Sequence, residues 1–394
     1  MHGPILQPAV WGHRSSIKGG IVGHRIQFSC FLLSIIVMLA SCEGSTVSPL
    51  VPAELPSPTN NVTQATIIPN PITQLEEPPP PMAWTAPHQE SIDCGNQQIP
   101  FTFAPTNRDY SLTNAFWMMW FAKRSFSGEQ QATQQELDEL GYDRYNFIVN
   151  ETSGLEVLII AKEDALIIAF QGSKQLPDWL ANFTFFQANG QDHDLMGKIH
   201  QGFATMLESE WITIEQTIEE FHTNDQPIWI TGHSLGGALG TLTAAKLASE
   251  GYPIAPLYTF AAPRVGNTEF AEELFTLLGQ RHFRFVNEED IVARLPPAGA
   301  AADEAAAMLP SGIQNWTMEM LRDLDYAHGG AMYRIEINND LTDFPPLEEN
   351  EDADYWARTN VGSIAEMLIN PVQEVRHNEN TYLCKMREVW ERSP

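Results

Sequence analysis

The sequence predicts an α/β fold in which a mostly parallel central sheet is covered by helices on both faces. Short apolar runs of strand length alternate with segments of helical periodicity, as expected for such a layered domain. One of these runs leads directly into a glycine-rich turn and a helix. Strands are predicted at residues 155–160, 165–170, 227–231, 257–261, 281–286 and 331–337. Helices are predicted at residues 111–125, 202–221, 235–249 and 268–278, and from about residue 380.

The composition allows a large folded domain and argues against a nucleic-acid role. The chain has 394 residues, of which 43% are apolar, so it can bury a sizeable core. Its formal net charge of −28 repels phosphate backbones and anionic lipid headgroups. The sequence has no P-loop, zinc spacing or dinucleotide fingerprint, and the acidic stretch 348–354 lacks the ligand spacing of a calcium loop. We therefore expect no cofactor, no metal and no nucleic-acid partner.

Residues 1–42 have the layout of a secretory signal. They contain no Asp or Glu, and basic residues precede the apolar run 28–40. That run is shorter than the roughly 20 residues that a membrane-spanning helix needs. It ends in Leu-Ala-Ser-Cys, which resembles the bacterial lipobox, so Cys42 is predicted to carry a lipid after cleavage. The alternative is an ordinary cleaved signal with a chance cysteine. The protein is thus expected to be exported, either anchored on the extracellular face of a bacterial membrane or secreted.

Two further regions follow the signal. Residues 43–90 are rich in Pro, Thr and Asn and have too few bulky apolar residues to form a core, so they are predicted to be a disordered linker. Residues 91–394 carry the alternating strand and helix pattern and are predicted to form one domain. The linker would hold this domain away from a membrane surface.

Residues 232–236, Gly-His-Ser-Leu-Gly, fit the Gly-x-Ser-x-Gly motif between a predicted strand and a predicted helix. In this context the motif predicts a sharp turn that projects the hydroxyl of Ser234 as a nucleophile. A Cβ atom two positions before or after the serine would collide with neighbouring backbone, so Gly232 and Gly236 are steric requirements. The helix N-terminus also favours negative charge that develops near the serine. The alternative is a glycine-rich turn with an incidental serine.

A serine nucleophile needs a histidine base and a carboxylate that orients this base. In this type of fold they follow in the order serine, acid, histidine. The predicted strand 281–286 is followed by Asn-Glu-Glu-Asp, which places carboxylates at the carboxyl end of a strand, where catalytic groups gather in open α/β sheets. Spacing alone does not separate Asp290 from Glu288 and Glu289, and a solvated acidic loop is the alternative.

Three longer motifs occur in order along the domain. They read Thr-Gly-His-Ser-Leu-Gly-Gly-Ala at residues 231–238, Phe-Ala-Ala-Pro-Arg-Val-Gly-Asn at 260–267, and Val-Asn-Glu-Glu-Asp-Ile-Val at 286–292 with Leu-Pro-Pro at 295–297. Together they resemble the class 3, fungal-type lipase family of the α/β-hydrolase superfamily, over a region from about residue 111 to the C-terminus. The resemblance implies the α/β-hydrolase fold. In the family's pattern the aspartate before Ile-Val is the triad acid, which implies this role for Asp290.

Two histidines compete for the role of base. His328 immediately precedes the predicted last strand, whereas His377 follows it. A catalytic histidine in an α/β hydrolase lies after the last strand, on the edge that carries the nucleophile, which favours His377. The family also has a His-then-Tyr setting around its base, similar to His377 and Tyr382, and a non-catalytic histidine before the last strand. A solvated surface histidine is the alternative for His377.

Acyl transfer also needs donors aimed at the oxygen that becomes negative in the tetrahedral intermediate. One is predicted to be the backbone N–H of Leu235, next to the nucleophile. The resemblance implies Ser173 as the second donor, because Phe-Gln-Gly-Ser at 170–173 is similar to the family's Phe-Arg-Gly-Ser/Thr. Gln171 departs from the usual arginine, which puts a local ion pair in doubt but leaves the donor intact. A plain turn at a strand end is the alternative.

A short amphipathic helix is predicted directly after Ser173. Its apolar residues recur at helical spacing, and a proline suits its first turn. These apolar residues are Leu176, Trp179, Leu180 and Phe183. Such a helix is more often packed on a core. The resemblance, however, implies a lid over the active site at this place in the chain.

Two cysteines remain for the exported domain if the signal is removed and Cys42 carries a lipid. Cys94 and Cys384 lie near the two ends of the domain and are candidates for a disulfide in an oxidising compartment. Some family members join these regions in this way, although the positions match only loosely. Two separate free thiols are the alternative.

These features together predict a serine hydrolase that cleaves carboxylic esters, foremost acylglycerols, through an acyl-enzyme on Ser234. Its partners are expected to be a lipid or ester substrate at an interface and, through the anchor, a membrane. A phospholipase or an aryl-ester esterase on the same fold is the first alternative. A catalytically silent lipoprotein that uses the scaffold for binding is the second. The sequence leaves the acyl-chain preference and the oligomeric state open.

Overall fold

The computed structural model describes residues 100–173, 186–223, 225–288, 290–296, 325–336, 340–344 and 377–392. All of them belong to one compact unit, Thr85–Pro394. The strands are β1 (Arg144–Asn150), β2 (Leu155–Lys162), β3 (Ala165–Phe170), β4 (Gln187–Asn189), β5 (Lys198–His200), β6 (Ile228–His233), β7 (Ile254–Phe260), β8 (His282–Asn287), β9 (Ala331–Ile335) and β10 (Leu341–Phe344). The helices are α1 (Leu112–Arg124), α2 (Gln130–Glu139), α3 (Gln201–Glu208), α4 (Trp211–Phe221), α5 (Leu235–Ser249), α6 (Thr268–Leu278) and α7 (Glu379–Arg392).

The central sheet has a parallel centre and antiparallel edges. Its eight strands lie in the order β1-β2-β3-β6-β7-β8-β9-β10. The pairings from β3 through β6, β7 and β8 to β9 are parallel, whereas β1, β2 and β10 are attached antiparallel. The expected mostly parallel sheet is therefore confirmed. A separate two-stranded sheet pairs β4 with β5.

The two faces of the sheet bury different layers of helices. Along β3, Leu166 and Ile168 point into the layer that holds α3, α4, α5 and α6, while Ala165 and Ile167 point into the layer that holds α1, α2 and α7. This alternation follows from the two-residue period of a strand. Because both layers are apolar, β3 is buried along its whole length and reads in the sequence as a continuous apolar run.

Most predicted elements occur within a few residues of their expected bounds, and β3, α5 and α6 have the expected bounds. The single helix expected at 202–221 is wrong, because the chain breaks into α3 and α4. Ser209 caps α3 by donating its hydroxyl to the Met206 carbonyl, and Glu210 leaves helical geometry with φ −130°. Asn150 holds the Glu210 carboxylate at 2.7 Å and fixes the break against β1.

The strand expected to be the last is followed by another. β9 ends at Ile335, and β10 pairs back on it from Leu341. The sequence analysis also missed β1, β4, β5 and α2. In α2, Thr133 and Leu137 are the buried residues, so its sequence shows little helical periodicity.

The carboxyl ends of the parallel strands meet at one edge of the sheet. Gln171 follows β3, Ser234 follows β6 and Asp290 follows β8, so these residues leave the sheet on the same side. This is the edge at which open α/β sheets place their ligands. Within the described ranges, no helix combines the length and the apolar character that a membrane crossing requires.

Candidate active site

The turn between β6 and α5 holds Ser234 in a strained conformation. Its backbone has φ 56° and ψ −125°, a region that L-residues rarely adopt. A Cβ on Gly232 would lie 2.2 Å from the Gly236 carbonyl, and one on Gly236 would lie 2.3 Å from the Phe170 carbonyl oxygen. Both glycines are therefore required by close backbone approach, as the sequence analysis expected. The turn presents the serine at the N-terminus of α5.

Three side chains from distant parts of the chain form one hydrogen-bonded row. The Oγ atom of Ser234 lies 2.7 Å from Nε2 of His377, and Nδ1 of His377 lies 2.8 Å from Oδ2 and 3.0 Å from Oδ1 of Asp290. All three residues are buried, with exposures of 2%, 4% and 0%. The arrangement can remove a proton from the serine hydroxyl and stabilise the imidazolium that results.

The carboxylate of Asp290 is held by two further donors. Oδ1 accepts the backbone N–H of Val292 at 2.9 Å, and Oδ2 accepts the hydroxyl of Tyr382 at 2.7 Å. The same hydroxyl accepts the backbone N–H of Asn287, also at 2.7 Å. Tyr382 therefore joins helix α7 to two points of the loop that follows β8. We call this loop, residues 287–292, the acid loop. The sequence analysis gave Tyr382 no such role, because the contact joins residues 92 positions apart.

Glu288, Glu289 and His328 were the other candidates for the acid and the base. The backbone carbonyl of Glu288 accepts Nη2 of Arg294 at 2.6 Å, and Glu289 lies outside the described residues. Nε2 of His328 lies 2.7 Å from the carbonyl of Ala293, beyond the acid loop. Of the two histidines that competed for the role of base, His377 is the one that contacts Ser234.

A second buried imidazole adjoins the row. The ring of His233 lies 4.8 Å from the ring of His377 and 5.3 Å from that of Tyr382. Burial, and then the charge that His377 can carry, hold the pKa of His233 well below its ordinary 6.5. His233 is therefore neutral at neutral pH. Sequence reasoning treated it only as the variable position of Gly-x-Ser-x-Gly.

Comparison with known proteins finds a related family for part of the chain. Residues 167–300 match the family model described as Lipase (class 3). Over this segment the chain is similar to class 3 lipases. It is 32% identical over 158 residues to a secreted mono- and diacylglycerol lipase A of Penicillium cyclopium, which covers 40% of this chain and 51% of the relative.

Two other similarities extend the comparison. The chain is 25% identical over 205 residues to phospholipase A1-IIgamma of Arabidopsis thaliana, covering 44% of this chain and 47% of the relative. A solved structure of mono- and diacylglycerol lipase from Aspergillus oryzae aligns with a TM-score of 0.47 at 22% identity, covering 60% of this chain and 87% of that chain. The chain spans about half the length of the curated relatives it matches.

The class 3 lipase motif around Ser173 lies beside the nucleophile. A Cβ atom on Gly172 would be 3.4 Å from Cβ of Ser234, so the end of β3 abuts the serine and Ser173 follows directly. Leu235 is the first residue of α5, where backbone N–H groups are unpaired within the helix. The amide of Gln171 faces the carboxylate of Glu156 on β2. A neutral amide thus lies where the pattern of class 3 lipases has an arginine.

Several predicted residues lie outside the described part of the chain. They are the lid residues Leu176, Trp179, Leu180 and Phe183, the lipidation residue Cys42, and Cys94. Cys384 on α7 is disulfide-bonded, and its pairing with Cys94 stays a prediction. Among the described residues, no group of histidines, cysteines and carboxylates is arranged to hold a metal ion.

Proposed function

We propose that this protein hydrolyses carboxylic esters, foremost acylglycerols, through an acyl-enzyme on Ser234. The single observation that carries the proposal is the row of contacts from Ser234 through His377 to the buried Asp290. The similarity of residues 167–300 to class 3 lipases supports the same reaction. No step of this reaction requires a cofactor.

Acylation begins when Nε2 of His377 takes the proton from Oγ of Ser234 as the oxygen attacks the ester carbonyl. The 2.7 Å separation is within reach for this transfer. Asp290 accepts the Nδ1–H of the ring, so it fixes the tautomer that leaves Nε2 free to act as the base. The imidazolium then protonates the departing alcohol. In deacylation the same histidine activates a water molecule that releases the acid.

The oxyanion of each tetrahedral intermediate is assigned to donors on both sides of Ser234. The backbone N–H of Leu235 is at the N-terminus of α5, where the helix dipole favours negative charge. Ser173, at the end of β3, supplies the second donor through its backbone N–H and hydroxyl. The close approach of Gly172 to Ser234 supports this assignment.

The burial of the nucleophile supports a covered site. Ser234 is only 2% exposed, so an ester reaches it only after surrounding residues move. We assign this movement to a lid that carries Leu176, Trp179, Leu180 and Phe183, whose apolar face would contact acyl chains on a lipid surface. This assignment favours acylglycerols in droplets or membranes as the substrate.

The place of action is proposed to be outside the cytoplasm. The signal-like residues 1–42 and the similarity to a secreted fungal lipase support export. A lipid on Cys42 would tether the domain to a membrane through the linker 43–90, which would bring the site close to an interface. Without that lipid the protein would be released.

A phospholipase is the second candidate within the same chemistry. The similarity to a plant phospholipase A1 favours it, because the proposed catalytic groups would act on either ester. A panel of p-nitrophenyl esters, triacylglycerols, diacylglycerols and phospholipids, assayed with the purified protein, separates these substrates. The highest kcat/KM on phospholipids would replace acylglycerols as the proposed substrate.

A silent binding protein is the competitor from a different class. Labelling with a fluorophosphonate probe tests it directly, because the probe reacts only with an activated serine. We expect the wild-type protein to be labelled and Ser234→Ala to remain unlabelled while it folds normally. An inert wild-type protein would contradict the proposed function.

A further inference from the structure

His233 is a buried titratable group that the proposed reaction does not use. It is 4% exposed and lies one residue before the nucleophile. Its ring is tilted by 41° against the ring of His377 at a centroid distance of 4.8 Å. Among the described residues, Nε2 of His233 has no hydrogen-bond partner, but the backbone carbonyl of His377 is near enough to raise its pKa. The residue therefore packs against the ring of the base and lies near its main chain.

The ring of His233 is fixed on its other side by strand β3. A Cβ atom on Gly172 would lie 3.1 Å from Nδ1 of His233 and 3.0 Å from its carbonyl oxygen. The residue also ends β6, the strand that leads into the strained turn of Ser234. Two paired strands thus hold the imidazole in place. A side chain on such a rigid element can position a neighbour accurately.

The neutral state of His233 suits a place beside a base that becomes charged. Burial and His377 lower the pKa of His233, and Lys123 on α1 adds to this effect, while the carbonyl of His377 opposes it. Asp290 faces the ring of His377, and Tyr382 faces the ring of His233. A neutral imidazole can offer an N–H to a carbonyl without repelling the imidazolium that forms on His377.

We propose that His233 is a positioning residue that supports the ring and the backbone carbonyl of His377 and so keeps Nε2 of the base within reach of Ser234. This inference rests on the proposed function, because it assigns His377 the role of base. His233 touches neither the ester nor the reacting oxygen. Its effect is transmitted through the position of His377.

The test uses two variants of His233 and one matched control. His233→Phe keeps a ring beside His377 but removes every N–H donor, whereas His233→Asn keeps a donor but removes the ring. His282→Asn changes a second buried, neutral histidine, on β8, that hydrogen-bonds Thr259 at 3.2 Å. The full-length proteins are compared for kcat and KM on a short soluble ester, for thermal unfolding, and for the downfield proton resonance of the hydrogen bond between His377 and Asp290.

For His233→Phe we expect kcat to fall about 10- to 100-fold with KM within about twofold, because a small displacement of a catalytic group has effects of this size. The downfield resonance should broaden or shift. His233→Asn should retain more activity than His233→Phe. His282→Asn should keep the kcat and the resonance of the wild type.

Two outcomes overturn the proposal. One is a folded His233→Phe with wild-type kcat and an unchanged resonance. The other is an equal loss of kcat in His282→Asn, which would reveal a general packing effect. If His233→Phe does not fold, the kcat of His233→Asn decides, and wild-type turnover in that variant overturns the proposal. A wild-type protein that fails to react with a fluorophosphonate would instead refute the proposed function.

Discussion

The proposed nucleophile and the proposed acid lie in a different kind of region from the proposed base. Ser234 and Asp290 lie within residues 167–300, the segment that matches the family model, and each follows a strand of the parallel sheet. His377 lies outside that segment, two residues before α7. The first region places its side chains by local geometry at strand ends. The second places His377 through the packing of a helix on distant parts of the fold.

Helix α7 is held by contacts with both the acid loop and α1. Tyr382 bridges Asn287 and Asp290, and Lys385 donates to the side-chain oxygen of Asn287 at 2.9 Å. Trp390 stacks on a ring of α1 with centroids 5.6 Å apart and donates to a threonine of the same helix at 3.1 Å. A turn motif is therefore enough to locate the proposed nucleophile in the sequence, whereas the position of the proposed base depends on long-range packing.

The largest expected effect tests which histidine completes the row. His377→Ala should lower kcat as far as Ser234→Ala does, by about 10⁶-fold, because the serine loses its base. His328→Ala is the matched control, since Nε2 of its ring lies 2.7 Å from the Ala293 carbonyl. It should change thermal stability more than kcat. The reverse pattern in ester-hydrolysis assays would transfer the role of base to His328.

The acid loop provides the second test. Asp290→Asn should reduce kcat by up to ~10⁴-fold, because the amide no longer stabilises the required tautomer and the imidazolium. Glu289→Gln removes a charge from the adjacent position and should leave kcat close to that of the wild type. Steady-state assays on one soluble ester compare the two. Equal damage from both substitutions would show that the acid was wrongly assigned.

The third test concerns Trp179, which lies in the segment that matches the family model but outside the described residues. Trp179→Ser should lower activity on emulsified acylglycerols by about 10- to 100-fold, since burial of a large apolar side chain contributes roughly 1.5–3 kcal/mol. Turnover of a short soluble ester should change little. Both rates are measured on one preparation. Equal losses would identify Trp179 as a core or pocket residue rather than part of a lid.

The last test separates sheet stability from catalysis. Burial, and then the charge of Arg284, lower the pKa of His282 to about 3 in the folded state, from 6.5. In this pH range His282 is protonated in the unfolded chain but not in the folded chain. The free energy of unfolding therefore falls by about 1.4 kcal/mol per pH unit as the pH drops from about 6.5 towards 3. Denaturant titrations should show a shallower decline in His282→Asn. An unchanged pH dependence would mean that His282 is not held neutral.

Much of the fold and part of the site could be predicted because local rules determine them. The apolar run of β3 follows from the burial of the whole strand. The glycines around Ser234 follow from close backbone contacts in the turn. The edge strand β1 was missed because its sequence mixes polar and apolar residues, and its burial is incomplete. The break between α3 and α4 was missed because it depends on Asn150, 60 residues from its partner.

In the site, too, some residues could be found from local sequence patterns, whereas others depend on long-range contacts. Asp290 could be separated from its two neighbouring glutamates only by the resemblance to class 3 lipases, because three carboxylates in a row have equivalent spacing. The contacts of Tyr382 with Asp290 and of His233 with His377 join residues far apart in sequence. No pattern within a short window reveals such contacts. They follow from how α7 packs against the sheet.

The separation of Ser234 and His377 in sequence has a consequence for the time at which the protein becomes reactive. His377 is 143 residues downstream of Ser234, so at about 5–20 residues per second the ribosome adds it roughly 7–30 s later. During that interval the nascent chain contains the nucleophile without its proposed base. With the proposed roles of Ser234 and His377, even a finished chain would gain its activity only once α7 has docked. The proposed ester cleavage would therefore begin only after synthesis and folding are complete.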